Sequence, residues 1–244
     1  SNITIDATGD VGLQTSIAVD SNDALHISYL DLDNDKVKYA TCASSCGSAS
    51  SWSVVSVDGI GTGVMQAGIA IDSNDDVHIV YTAIPSGTSN YVVKYSTCSS
   101  SCSSTSSWTT TTGIHPDVNV KQLSFTIDSN DALHIATLGV TSKEVYYGIC
   151  ATLCTSSSSW SNVSIDSHTS LFFGYNPSIS VDSNNNPHIV YRGIDPTGST
   201  SNSALAYATC ISSCLSDSSF WSVIAVDGRG GAGWGTAIAV NQGN

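Results

Sequence analysis

Ile-Ala-Val-Asp-Ser-Asn-Asp-Ala-Leu-His-Ile-Ser-Tyr, Ile17 to Tyr29, returns as Ile-Ala-Ile-Asp-Ser-Asn-Asp-Asp-Val-His-Ile-Val-Tyr, Ile69 to Tyr81, and again over Phe125 to Thr137 and Ile179 to Tyr191. The repeated histidines, His26, His78, His134 and His188, stand 52, 56 and 54 residues apart. Self-similarity at such a period marks a repeat architecture. Each unit carries four short alternating or apolar runs, which in the first copy are Ser16 to Asp20, Ala24 to Leu30, Lys36 to Cys42 and Trp52 to Asp58. These read as strands A, B, C and D. Asp-Ser-Asn-Asp between A and B is a tight turn whose side chains bond local amides.

Four strands in about 55 residues is close to the length of a propeller blade. The expected fold is therefore all-β, a β-propeller of four-stranded antiparallel blades forming one domain over residues 1–244. Its full repeats fall near 14–58, 66–112, 122–166 and 176–227. Residues 1–6 match a surplus N-terminal D strand and 236–241 a surplus C-terminal A strand. The chain starts at Ser1 without the charged and apolar stretches of a signal peptide, and reads as a processed product or a segment of something longer.

Composition narrows the partners. Nineteen Asp and one Glu, Glu144, face five Lys and two Arg, for a net charge of −13, so nucleic acid is excluded as a partner for want of clustered cations. Asp without Glu places the acid in turns rather than helices. No apolar run is long enough to span a membrane. Eight cysteines fall in four pairs of one spacing: Cys42 and Cys46, Cys98 and Cys102, Cys150 and Cys154, Cys210 and Cys214. An even count in a loop-rich chain reads as disulfides, and hence as an extracellular or cell-surface protein; zinc is the rival reading.

The unit resembles a family of tandem repeats in secreted and surface-layer proteins of bacteria and archaea, with the pattern Ser-Ile-Ala-Leu-Asp-Ser-x-Gly-Asn-Pro-His-Ile-Ser-Tyr, then Leu-Lys-Tyr-Ala, then Trp. Ser16 to Tyr29 with Val37 to Ala40, and Ser178 to Tyr191 with Asn186-Pro187-His188, carry the likeness. It implies a propeller serving as scaffold, adhesin or surface module, and the Cys-x-x-x-Cys loop departs from it. A more distant likeness to sialidase-type propellers stops short of their chemistry. Their Ser-x-Asp-x-Gly-x-Thr-Trp turn is missing, and Arg192 and Arg229 alone do not make the three arginines those enzymes place on a substrate carboxylate.

Candidate chemistry is sparse. The four histidines are out of phase with Leu25, Ile27 and Tyr29, and a residue repeated in every blade is best explained by bonding the neighbouring turn. No Asp is marked out by a non-repeated setting, and no Gly-x-Ser-x-Gly elbow occurs, so no enzyme is expected. Asp31, Asp33 and Asp35 have the spacing of the first ligands of a calcium loop but lack its Gly and distal Glu, so no cofactor is expected beyond that calcium candidate. Asn2 and Asn162 head N-glycosylation sequons at equivalent places, and Ser99 to Ser107, Thr109 to Thr112 and Ser156 to Ser159 are candidate O-glycosylation tracts. The functional expectation is an extracellular structural protein that pairs with copies of itself through its terminal strands into a surface layer or fibre. The alternative is a lectin that binds glycans through Trp234, Phe172, Phe173 and Tyr175, although Trp234 is better matched to the core places of Leu13 and Met65. Glycoside hydrolysis ranks last.

Overall fold

The computed structural model describes residues 2–58, 61, 63–117, 119–167, 177–194, 203–228, 232–233 and 235–241. Among the described residues sixteen strands form four antiparallel sheets, each in plain sequence order. The first contains β1 (Val11–Val19), β2 (Leu25–Asp31), β3 (Lys36–Cys42) and β4 (Ser53–Asp58). The second contains β5 (Val64–Ile71), β6 (Val77–Ala83), β7 (Val92–Cys98) and β8 (Thr109–Thr112). The third contains β9 (Val120–Ile127), β10 (Leu133–Gly139), β11 (Glu144–Cys150) and β12 (Ser161–Ser167), and the fourth β13 (Ser178–Val181), β14 (Pro187–Ile194), β15 (Ser203–Thr209) and β16 (Ser222–Asp227). These are propeller blades, and the four repeats map one to one onto them.

The chain divides into two compact units, one of Ser1–Ile114 with Cys154–Ser157, the other of His115–Leu153 with Ser158–Asn244. The first holds blades 1 and 2, the second blades 3 and 4. In the first unit Leu30, Val37, Tyr39 and Val57 of blade 1 pack on Ile69, Ile79 and Tyr81 of blade 2. In the second, Val145, Tyr147 and Ile165 of blade 3 meet Ile179, Ile189 and Tyr191 of blade 4. Burying such faces is what makes stacked repeats stable, since one sheet cannot cover itself. The face of β1 shows the contrast: Ile17 is 61% and Val19 53% exposed, where their counterparts Ile179 and Val181 are 5% and 0%.

Local chemistry fixes each hairpin. Asp20 Oδ1 accepts the amides of Asn22 (2.9 Å) and Ala24 (2.8 Å), and Asp72, Asp128 and Asp182 repeat the arrangement. The residue three positions on, Asp23, Asp75, Asp131 or Asn185, takes positive φ near 65°, which Asp and Asn tolerate better than other side-chain-bearing residues. The disulfides are formed: Cys42–Cys46, Cys98–Cys102 and Cys210–Cys214 are direct bonds, and Cys150 and Cys154 are disulfide-bonded as well. Tryptophans that follow these loops point back to them, with the Nε1–H of Trp52, Trp108 and Trp221 donating to the carbonyls of Cys46, Cys102 and Cys214 at 3.0 to 3.1 Å. Among the described residues no helix is long and apolar enough to cross a membrane.

The terminal segments hold the D and A places without belonging to any of the described sheets. Asp6 accepts from Tyr29 Oη–H at 2.8 Å, as Asp58 does from Tyr81. Ile238 N–H donates to Ser178 Oγ at 3.2 Å, as Ile69 N–H does to Ser16 and Ile179 N–H to Ser124. Leu13 and Met65, expected as core places, are 44% and 38% exposed. Trp234, Phe172, Phe173, Tyr175 and Arg229 lie outside the described residues.

Candidate functional site

Two sets of polar side chains recur, at opposite ends of the sheets. At the A–B turn, His26 Nδ1 accepts from Tyr39 Oη–H at 2.6 Å while Nε2 lies 3.3 Å from Asp20 Oδ2. The sets of Asp72, His78 and Tyr95, of Asp128, His134 and Tyr147, and of Asp182, His188 and Tyr207 repeat it. His134 Nε2 hydrogen-bonds its turn at Asp128 Oδ2, and in the other three copies Nε2 lies 3.3 to 3.5 Å from the turn carboxylate. Burial pushes the Tyr95 hydroxyl up to about 12 and lowers His134 against the charge of Asp128. Both rings are thereby held in their neutral forms, where they brace the joints.

At the other end, where strand A starts and B passes to C, an acid from the preceding D position sits on a tyrosine. Asp6 pairs with Lys38 and Tyr29, Asp58 with Lys94 and Tyr81, and Asp166 accepts from Tyr191 at 2.6 Å. Burial raises the Asp6 carboxyl, but hydrogen bonds from Lys38 and Tyr29 outweigh it and hold it well below the usual range. Lys94 is 5% exposed, so this ion pair is interior.

The third repeat abandons that set. Six residues after Trp108, at the end of the second repeat, where other copies have Asp58, Asp166 and Asp227, stands Ile114, followed by His115. Thr137 replaces the repeated tyrosine, and Tyr146 stands where Lys38 and Lys94 do. Cross-strand pairing of Gly139 with both Val120 and Glu144 brings these substitutions to one end of the sheet. His115 Nδ1 accepts the Asp117 amide at 3.0 Å, so Nε2 carries the proton and donates to Thr137 Oγ1 at 2.7 Å. Burial pushes His115 down to about 4 against the nearby Asp117 charge. Its ring meets the Tyr146 ring edge-on, centroids 4.8 Å apart, and Tyr146 Oη–H donates to Glu144 Oε2.

Asp117 holds this end together. It accepts the Ser142 amide (3.1 Å) and hydroxyl (2.7 Å) and the Asn119 amide (3.1 Å), and those bonds overcome burial to keep its carboxyl below normal. Only glycine fits opposite: a Cβ on Gly139 would lie 2.0 Å from Asp117 Oδ2. The B–C turn, with Lys143 at φ 62°, is thereby fixed, and Glu144 follows it directly. Burial and the Glu144 bond push Tyr146 up to about 12, with the charge of Asp117 adding to the effect. Tyr146 and Glu144 are half-buried and reachable, while His115 and Asp117 are buried behind them. A register shift falls between Val145 and Tyr146, with Ile165 of β12 as the extra residue. Bulges recur beside active sites, although blades 1 and 4 have the same one.

The result is a proton-donating phenol on a carboxylate, in a rigid, partly dry setting. Sequence reasoning passed over it by seeing no Asp outside a repeated setting. Asp117 and the sole Glu both stand outside one, and the legible signal was the joint departure at His115, Thr137 and Tyr146.

The other candidates part ways. Asp31 accepts the amide and side-chain N–H of Asn34, and Asp33 accepts the Asp10 amide, so these carboxylates serve separate bonds, and Asp35 takes positive φ in the turn. Among the described residues no three His, Cys, Asp or Glu side chains group to hold a metal, and the calcium candidate is not assembled. Asn162 lies over Gly148 with Oδ1 buried, whereas Asn2 is exposed.

No protein-family model and no curated protein matches the chain. Solved structures do. An α-L-arabinofuranosidase from Lactobacillus brevis superposes with TM-score 0.55 at 14% identity, covering 87% of this chain and 72% of that one. An endo-arabinase from Bacteroides thetaiotaomicron gives 0.54 at 13%, covering 88% and 80%. An α-L-arabinofuranosidase from Fusarium graminearum gives 0.57 at 12%, covering 88% and 66%. At these identities the likeness is one of fold. It nonetheless overturns the expectation of a non-enzymatic, self-assembling structural protein, since these three structures are named as enzymes acting on carbohydrate.

Proposed function

We propose that this chain is a secreted, carbohydrate-active enzyme that cleaves glycosidic bonds, with Glu144 and Tyr146 as its reacting pair. The observation that carries this reading is the break in the D-position set that gathers the chain's one glutamate, a hydrogen-bonded phenol and two buried supports at one end of blade 3. A scaffold has no use for such a break, whereas catalysis needs one place unlike the others. The fold neighbours supply the substrate class to try first, α-L-arabinofuranosyl linkages. Four disulfides favour an oxidising compartment.

The chemistry follows from the hydrogen bond. Glu144 takes the phenolic proton as Tyr146 Oη attacks the anomeric carbon, and that proton passes to the leaving oxygen as the glycosidic bond breaks. Water then adds its hydroxyl to the sugar and returns its proton to Tyr146, so one glycoside and one water give two alcohols. Two displacements leave the anomeric configuration retained. Asp117 and His115 position the pair and touch no substrate.

The test is release of reducing ends from linear arabinan and of aryl alcohol from an aryl α-L-arabinofuranoside. Glu144→Gln and Tyr146→Phe should each lose about 10²- to 10⁴-fold, and the double variant little more, because the two act as a unit. Full activity in both variants, or no cleavage by the native protein across a panel of polysaccharides, would sink the reading.

A further inference from the structure

The second unit carries another place where the repeat pattern breaks. A cavity of about 400 Å³ opens at the A–B end of blades 3 and 4, floored by Asp128, His134 and Tyr147. Its size falls within the range of small-molecule sites. The floor is the repeated brace, but the walls are not. Ile149, Ile211 and Leu215 line it. At the matching places between blades 1 and 2 the chain has Thr41, Ser99 and Ser103. Ile211 is 79% and Leu215 43% exposed, at two positions that in the other repeats carry Ala, Ser, Gly or Thr.

The polar wall changes too. Asn185 and Asn186 replace Asp75 and Asp76, so two carboxylates become two amides. In the first unit Asp75 accepts from Ser21 N–H and Oγ–H at 2.8 and 2.6 Å. In the second, Asn185 Oδ1 takes the same bonds from Ser129 at 3.3 and 2.9 Å, which leaves its amide nitrogen to the cavity. Asn186 spends its nitrogen on Asp182 Oδ2 at 2.9 Å and keeps its oxygen. One wall is thus apolar and the other offers an amide donor and an amide acceptor, and the lining includes neither lysine nor arginine to hold an anion.

We propose that this cavity is a second sugar subsite, separate from Tyr146 and Glu144, that holds a neutral pyranose or furanose unit of the same polysaccharide. The apolar face of the ring lies on Ile211 and Leu215, and its hydroxyls meet Asn185 and Asn186. This inference rests on the carbohydrate reading for its ligand class but not on the catalytic assignment.

The test is affinity gel electrophoresis in linear arabinan with the intact protein. The triple variant Ile149→Thr, Ile211→Ser, Leu215→Ser installs residues that the second repeat already tolerates, and an unchanged melting temperature certifies its fold. Retardation by arabinan should weaken at least tenfold while turnover of the small aryl arabinofuranoside stays at the native value. Asn186→Asp, which restores the residue of the second repeat, should weaken retardation several-fold and serves if the triple variant does not fold. Equal retardation of native and variant proteins overturns the subsite, as does a native protein that no arabinan retards. Glu144→Gln separates the two ideas: it should be retarded normally while cleaving nothing, and cleavage by it would remove the catalytic assignment and leave the subsite to be judged on retardation alone.

Discussion

Lowering the pH should destabilise the second unit through His115. Its two nitrogens are fixed as acceptor and donor by the Asp117 amide and Thr137 Oγ1, so a second proton has no acceptor to meet and breaks the Asp117 bond. The native pKa is about 4 against an ordinary value of 6.5. Above pH 6.5 both native and unfolded states hold the ring neutral and nothing is lost. Between 6.5 and 4 the unfolded chain takes up a proton that the native protein refuses, so stability falls as pH falls. The shift corresponds to about 3 kcal/mol lost by pH 4, a large fraction of a typical folding free energy. Two measurements check it: the imidazole Cε1–H resonances followed from pH 8 to 3.5, and urea unfolding at pH 7.5, 5.5 and 4. One histidine should begin to shift only near pH 4, its resonance vanishing in His115→Gln, and that variant should lose less stability on acidification than the native protein. A His115 that titrates near 6.5 would refute the assigned hydrogen bonds.

Gly139→Ala should destabilise by about 1–3 kcal/mol, because its Cβ would overlap Asp117 Oδ2 and Ser142 Oγ; turnover of the aryl arabinofuranoside should fall far more than the melting temperature does. Tyr81→Phe leaves Asp58 with Lys94 but removes a 2.6 Å bond to a buried carboxylate, at a cost of about 1.5–3 kcal/mol in urea unfolding; no change would show the hydroxyl to be dispensable. Reduction should lower stability by about 2 kcal/mol for each five-residue disulfide loop on the chain-entropy account, and tryptophan emission should change as Trp52, Trp108 and Trp221 lose their loop carbonyls; an unchanged urea midpoint in reductant would count against it. At alkaline pH the raised tyrosines work the other way: Tyr95 and Tyr146, near 12, keep their protons after the unfolded chain has lost its own near 10, so stability, followed by urea unfolding, should fall as pH climbs from 10 to 12.

The fold was legible because its cues are local and repeated. Period-two strands, an Asp whose carboxylate caps its own turn and a Cys pair four residues apart each act within a few residues, and four copies made them unmistakable. The structure moved the first strand's start from Ser16 back to Val11 and left the terminal segments outside any sheet. The site was less legible because it is built across strands. Thr137, Tyr146 and His115 are far apart in sequence and meet only through the register that pairs Gly139 with Val120 and Glu144.

Symmetry itself explains why the acid was overlooked. In blades 1 and 2 the buried carboxylate at the D position is neutralised by a lysine and a tyrosine, an arrangement that satisfies all three groups and leaves nothing to react. Blade 4 has Ala206 in the lysine's place and still keeps Asp166 on Tyr191. The third repeat changes all three positions at once: the carboxylate goes from the D position, a neutral imidazole bonds a threonine, and a phenol takes the cation's place beside a new glutamate. The carboxylate and the tyrosine that would bond it are given up together, which leaves neither group buried without its partner. A group that arrives by such a coordinated change, half-exposed at the end of a rigid sheet, has been freed from the bracing role its counterparts perform, and this freedom is what a reacting side chain requires.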